Sequence, residues 1–327
     1  MQMNRGARNV GVDVARAVAL GGMFVAHLTY PSGVLAEVVY GFPSALFAFV
    51  AGISMAFMSA GGAGSTHFVV RGLVLVALGA SLALVPTDIV IVLGTLGICM
   101  IGLSWAPRWV ASAPLWQVAV IATLLTVASG VTWVYASFDY PPLMWAVLMV
   151  GGMGFHRVLL GNPARLVWAA VIGLALMALD IFARWYAAVP LFMDVTGHTG
   201  GVLDVVGSLG ASVGICAACC LLVRPWQVVL PRMGRMPLTL YCLHVLSATY
   251  VGLWVTLGAA AALAIAWLQW LPRGPVEEGV RRVVGAGAGL LETIVGGNDE
   301  EDRSINPGSK LVHGATGVGD GELLVRR

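Results

Sequence analysis

Three residues on the first apolar run of this chain, Asp13, Arg16 and His27, can carry charge or move a proton. In a helix, the step from Arg16 to His27 leaves the two roughly 20° apart around the axis, and Asp13 falls about 40° from His27. The three then share one stripe. Asp13 and Arg16 are close enough to pair, and His27 lies roughly 16 Å further along. A neutral imidazole can accept a proton or an acyl group near neutral pH, so His27 is a candidate general base or acyl carrier. Asp13 and Arg16 either support that chemistry or clamp neighbouring helices as an ion pair.

A second constellation lies at 236–247, Met-Pro-Leu-Thr-Leu-Tyr-Cys-Leu-His-Val-Leu-Ser. Tyr241, His244 and Ser247 recur every three residues and share a helical face, and Pro237 suits a first helical turn. His244 is the second catalytic candidate and Tyr241 a candidate substrate contact; a structural histidine satisfied by a partner is the competing reading. A third group runs through Asp194 and His198, in Thr-Gly-His-Thr-Gly-Gly, to Asp204, Ser208 and Ser212. A histidine, a carboxylate and a hydroxyl stripe suit a sugar or other polyol, with His198 and Asp204 as binding residues. A solvated loop would need no ligand. Asp180 and Arg184, four apart, read as a local ion pair.

Cys99, Cys216, Cys219, Cys220 and Cys242 all fall in apolar stretches, with no histidine or carboxylate to complete a cluster. They read as packing residues, and no metal is expected. The glycines lie within apolar runs rather than strand-to-helix loops, which argues against a nucleotide cradle.

The elements that must position these residues are membrane helices. Apolar residues make up 59% of the 327 and charged residues only 10%, against about 25% charged in a soluble domain. Mean hydropathy is +0.89. A net charge of +2 gives no nucleic-acid footprint. Apolar runs of spanning length fall at 12–30, 43–60, 68–85, 88–105, 113–134, 141–160, 165–187, 201–223, 236–252 and 254–271, the last two divided at Gly252. The expected fold is an all-α polytopic bundle of about ten transmembrane helices.

The arginines orient it. With the N-terminus inside, the inner segments hold Arg5, Arg8, Arg71, Arg108, Arg157, Arg165, Arg224, Arg232, Arg235, Arg273, Arg281 and Arg282. The outer ones hold Arg184 alone among the bases, with Glu37, Asp88, Asp139 and Asp194. This is the positive-inside pattern, and it puts both termini in the cytoplasm. One transmembrane domain, 1–296, is expected, with an interfacial helix near 276–295 on the cytoplasmic surface. Residues 297–327, polar and aperiodic, read as a disordered tail.

Several stretches resemble a known family. Gly-Val-Asp-Val-Ala-Arg-Ala-Val-Ala-Leu-Gly-Gly-Met at 11–23 resembles the opening of the bacterial YeiB-like multi-pass proteins, relatives of heparan-α-glucosaminide N-acetyltransferase. Pro43-Ser-Ala-Leu-Phe-Ala-Phe-Val-Ala-Gly-Ile-Ser54 is similar to that group's second helix. Tyr140-Pro-Pro-Leu-Met-Trp145 with Gly151-Gly-Met resembles its middle motif. Gly234-Arg-Met-Pro-Leu-Thr-Leu-Tyr-Cys-Leu-His244 resembles its late motif, and Arg273-Gly-Pro-Val-Glu277 its terminal signature.

The resemblance implies a transmembrane acyltransferase scaffold in a bacterial plasma membrane. The donor would be a cytosolic acyl-CoA such as acetyl-CoA, and the acceptor an extracytoplasmic small molecule, glycan or glycolipid. The animal relative works through a histidine that follows its first helix. Residues 31–42 here contain none, and His27 is the nearest. Expected partners are membrane lipid and the acceptor, with a homodimer as an open arrangement. Two other classes stand beside this one: a transporter or flippase using the same intramembrane polar residues as a binding path, and a non-catalytic membrane subunit.

Overall fold

The computed structural model describes residues 9–224 and 226–305, without the side chains of residues 292 and 294–305. Among the described residues all regular structure is helical and no strand occurs. In chain order the helices are α1 (Val10–Thr29), α2 (Val34–Val39), α3 (Phe42–Ala60), α4 (Ser65–Leu82), α5 (Leu93–Gly102), α6 (Ala106–Ser112) and α7 (Leu115–Tyr135). There follow α8 (Pro142–Val158), α9 (Pro163–Tyr186), a 3-10 turn at Leu191–Met193, α10 (Val202–Leu222), α11 (Val229–Met233), α12 (Pro237–Ser247), α13 (Leu253–Trp270) and α14 (Pro275–Ile305).

The chain punctuates these helices in expected ways. Asn9 caps α1 by accepting from Val12 N at 3.2 Å, and Asn162 caps α9 by accepting from Arg165 N at 3.1 Å. Proline opens α3, α8, α9 and α12 at a position where no backbone donor is lost.

Seven helical segments are long and apolar enough to cross a membrane: α1, the α2–α3 segment Val34–Ala60, α4, α7, α9, α10 and α13. The remaining expected spans are shorter. The run at 88–105 forms only the ten residues of α5, because Pro86, Thr87 and Asp88 hold the preceding chain out of helix. The run at 236–271 breaks after Ser247 and resumes at Leu253, leaving α12 with eleven residues. Helix α8 has seventeen.

The centre is built from α1, α3, α8 and α10. At the α3–α8 crossing, an added Cβ on Gly52 would strike the Met149 carbonyl, and one on Gly152 would strike the Phe49 carbonyl. Each glycine admits the partner backbone. In lipid such close packing, rather than hydrophobic expulsion, holds helices together. Helix α7 buries only Ser129 and Gly130 and lies at the periphery.

Helix α14 begins where the interfacial helix was expected and continues past Val295 to Ile305. Val280, Val284 and Ala288 are buried, and Gly287 rests on Val70 of α4. Residues 306–327 of the expected tail lie outside the described residues.

Candidate functional site

The two histidines singled out on separate helices meet. The last turn of α1 presents His27, α12 presents His244, and His27 Nδ1 lies 3.1 Å from His244 Nε2. Their rings are nearly parallel, 9° apart, with centroids at 5.4 Å. Phe24 covers the buried face of His244, ring centroids 4.5 Å apart. His244 is 1% exposed, and its Nδ1 has no hydrogen-bond partner among the described residues. One facing nitrogen must carry the proton and the other accept it. When His27 Nδ1 donates, its Nε2 is left as a free base. His244 then acts as the group that holds this tautomer, a role that a carboxylate often fills.

His27 is half-buried and opens into a cleft of about 820 Å³, with Tyr30, Tyr40, Thr87, Asp88 and Thr249 on its walls. This is the histidine end of the bundle. Tyr241, one turn before His244, is not in this cleft. It is 1% exposed, its hydroxyl accepts from Val92 N at 3.3 Å, and its ring stacks on Phe47. Tyr241 thus ties α12 to the start of α5 and is closed to a substrate.

Asp13 and Arg16 lie toward the opposite end of α1 and form the expected ion pair. Arg16 Nη2 also donates to Ser54 Oγ at 2.9 Å. The Asp13 carbonyl leaves no room for a side chain at Gly234, which explains the glycine that opens the 234–244 motif. The pair lines a second cleft of about 540 Å³, together with Arg71, Arg235, Arg273, Arg281 and Glu277. Arg16, Ser54, Arg71 and Pro237 also border a narrow apolar slot of about 80 Å³ that continues inward between Val50, Leu75 and Leu96. The α1 stripe therefore joins two clefts. Its ion pair faces the arginine-rich one and its histidine the other.

Glu277 links α14 to α12. Its carboxylate accepts from Leu238 N at 2.6 Å, Thr239 N at 3.1 Å and Thr239 Oγ1 at 2.5 Å. The two backbone N–H groups are orphan donors of the first turn of α12, where a negative charge also meets the positive end of the helix.

At the histidine end, Arg184 is more than half of a local pair. Its guanidinium lies 2.8 Å from Asp180, 3.5 Å from Glu37 and 4.0 Å from Asp204, and it covers the Phe42 ring at 4.7 Å. It also donates to the Glu37 carbonyl at 3.0 Å. One buried cation thus holds α2, α3, α9 and α10 together.

Asp204 is fully buried. It accepts from Gly200 N at 3.0 Å and Ser208 Oγ at 3.1 Å, while Ser212 Oγ bonds the Ser208 carbonyl at 2.7 Å. The expected polar lining is instead a closed ladder inside α10. A buried carboxylate must be satisfied locally, and this one uses its neighbours.

His198 takes a left-handed conformation, φ 69°, and is half-buried. Its Nε2 is 3.5 Å from Ser44 Oγ, and the Tyr140 ring meets it edge-on at 5.2 Å. Burial first, then Arg184 and His27, pushes its pKa down to about 4. His198 is neutral near pH 7. It borders a third cleft with Tyr140 and Trp133, apart from His27.

Arg71 and Glu277 carried only topological or motif information in sequence. The signal for Arg71 was its position six residues inside an apolar helix, where a charge requires a reason. Compared with known proteins, the chain matches no family model and no curated protein sequence.

Proposed function

We propose that the protein is a YeiB-like acyltransferase of the bacterial plasma membrane. It would move an acyl group from a cytosolic acyl-CoA-type donor to an extracytoplasmic glycan or glycolipid. The shorter helices α5, α8 and α12 would complete ten crossings with the seven longer segments, and both termini would be cytoplasmic. Arginine asymmetry supports that orientation, with the arginine-rich cleft toward the cytoplasm.

One observation carries the reading. A single helix joins a basic cleft at one end to a buried histidine pair under a separate cleft at the other. The phosphates of an acyl-CoA match a cleft lined by Arg71, Arg235, Arg273 and Arg281. The apolar slot beyond it, which ends at Phe47 and Leu93, would receive its thioester arm. The side chains around Phe47 and Tyr241 would have to part for the thioester to reach the histidine pair. At the far end the acceptor hydroxyl or amine gives its proton to His27 Nε2, while His27 Nδ1–H stays bonded to His244. The freed lone pair attacks the thioester carbonyl. The C–S bond breaks, and the thiolate leaves with the proton returned by His27.

The alternative is a transporter or flippase for a polar metabolite or lipid-linked sugar, which two clefts on one axis would also serve. The deciding experiment uses purified protein in lipid nanodiscs. The transferase reading requires saturable CoA binding that weakens in Arg71→Gln and Arg273→Gln. It also requires acyl transfer that is lost in His27→Ala. Absence of CoA binding together with substrate flux across proteoliposomes would overturn it.

A further inference from the structure

The third cleft, about 570 Å³, lies at the histidine end between the end of α7 and the 194–201 loop. Its walls carry Trp133, Phe138, Tyr140, Ser137, Asp139 and His198. Two of the rings are held in place without any ligand. The Trp133 indole donates to Asp194 Oδ2 at 3.2 Å. The Tyr140 hydroxyl donates to the Val90 carbonyl at 3.1 Å, and its ring packs edge-on against Trp145 and His198. Ser137 and Asp139 are exposed, and no hydrogen bond among the described residues engages their side chains.

Fixed aromatic faces beside free hydroxyl and carboxylate groups match the two sides of a sugar ring. The C–H face of a pyranose is apolar and gains dispersion contact on an aromatic surface. Its hydroxyls need acceptors and donors at the edge. Walls already ordered lose little freedom when the ligand arrives. His198 stays neutral here at pH 7, and the cleft has no lysine or arginine on its walls. Nothing in it compensates an anionic ligand.

The cleft also adjoins the one over His27. The short non-helical segment 86–90, bent at Thr87 and Asp88, divides them, with Pro86 to Ile89 lining the His27 cleft and Val90 lining this one.

We propose that this aromatic cleft is a carbohydrate subsite that holds a neutral sugar unit next to the one presented to His27. The inference rests on the acceptor reading above and extends it to an acceptor of at least two units.

The test is calorimetric titration of the full chain, in nanodiscs free of glycoside detergents, with methyl β-glucoside and cellobiose. Wild type should bind the disaccharide saturably. Trp133→Ala and Asp139→Asn should each weaken it by about tenfold or more, the scale of losing an anchor at a binding site. Trp133→Phe should restore most of the affinity. Trp116→Ala, at the far end of α7, should leave it unchanged. No saturable sugar binding by wild type, or equal binding by the Trp133 and Asp139 variants, would overturn the subsite. The two readings fail separately. Transfer to a simple acceptor without disaccharide binding would remove the subsite and keep the transferase. Disaccharide binding lost in these variants, with no transfer to any acceptor, would keep the subsite and remove the transferase.

Discussion

His27 Nδ1 and His244 Nε2 lie 3.1 Å apart although the two residues are 217 positions apart in the chain. The pair should behave as a unit. Removing a general base costs about 10²–10⁴ in rate, so His27→Ala should lose activity on that scale. Residues that share one proton pathway are not additive. The double variant His27→Ala/His244→Ala should therefore be no slower than His27→Ala alone. A double-mutant cycle on acyl transfer, with thermal stability measured beside it, checks this. Independent losses that multiply would separate the two histidines.

Orientation can be read by labelling. Leu35 and Leu230 are exposed, at opposite ends of the bundle. A cysteine placed at Leu35 should react with an impermeant maleimide added outside intact cells. One at Leu230 should react only after the membrane is opened. The reversed pattern would invert every assignment of side.

Arg184 should be the most costly single side chain to delete at the histidine end. Its own side chain and those of Asp180 and Asp204 are at most 4% exposed. Breaking such a buried pair from one side typically costs about 3–5 kcal/mol, because uncompensated charge remains behind. Arg184→Met should lower stability by that order and loosen α2, which carries Glu37, and the loop that carries His198. Arg184→Lys should recover only part of it, since a point charge cannot reach three carboxylates. Denaturant unfolding in detergent micelles measures both.

His198 sets a pH dependence of defined sign. Its pKa is about 4 in the folded protein and about 6.5 when unfolded. Between these values the unfolded chain binds more protons, so stability rises with pH through this window. Its contribution is complete above about pH 6.5 and is lost as pH falls toward 4. Thermal unfolding from pH 7.5 to 4.5 should show that slope in wild type and a flatter one in His198→Gln. Equal slopes would remove His198 as the titrating group.

The sequence allowed one half of this site to be read and hid the other. Helical period alone aligned Asp13, Arg16 and His27, because all three sit on one element and need no knowledge of packing. It also paired Asp180 with Arg184. It could not show that α12 lies against α1, or that Arg184 also reaches Glu37 and Asp204, since those depend on which helices become neighbours. Asp204 and Tyr241 show the matching error. Polar types on a shared face suggested a lining, yet both had found partners inside the bundle. The run at 88–105 was apolar enough to span, but hydropathy does not register the turn made by Pro86, Thr87 and Asp88.

Two clefts entering from opposite ends also shape the electrical landscape of the protein. A membrane voltage falls across material that excludes water and mobile ions. Here that layer is the plug around Phe24, Phe47 and Tyr241, spanned by the eleven residues of α12. The slot enters its basic side as far as Phe47 and Leu93, so the layer is thinner than the roughly 16 Å length of α12, against about 30 Å for the surrounding hydrocarbon. The field should therefore be steepest just beneath His27. A unit charge carried across the plug would exchange about 2.3 kcal/mol with each 100 mV. A proton passed between the clefts would feel nearly all of it.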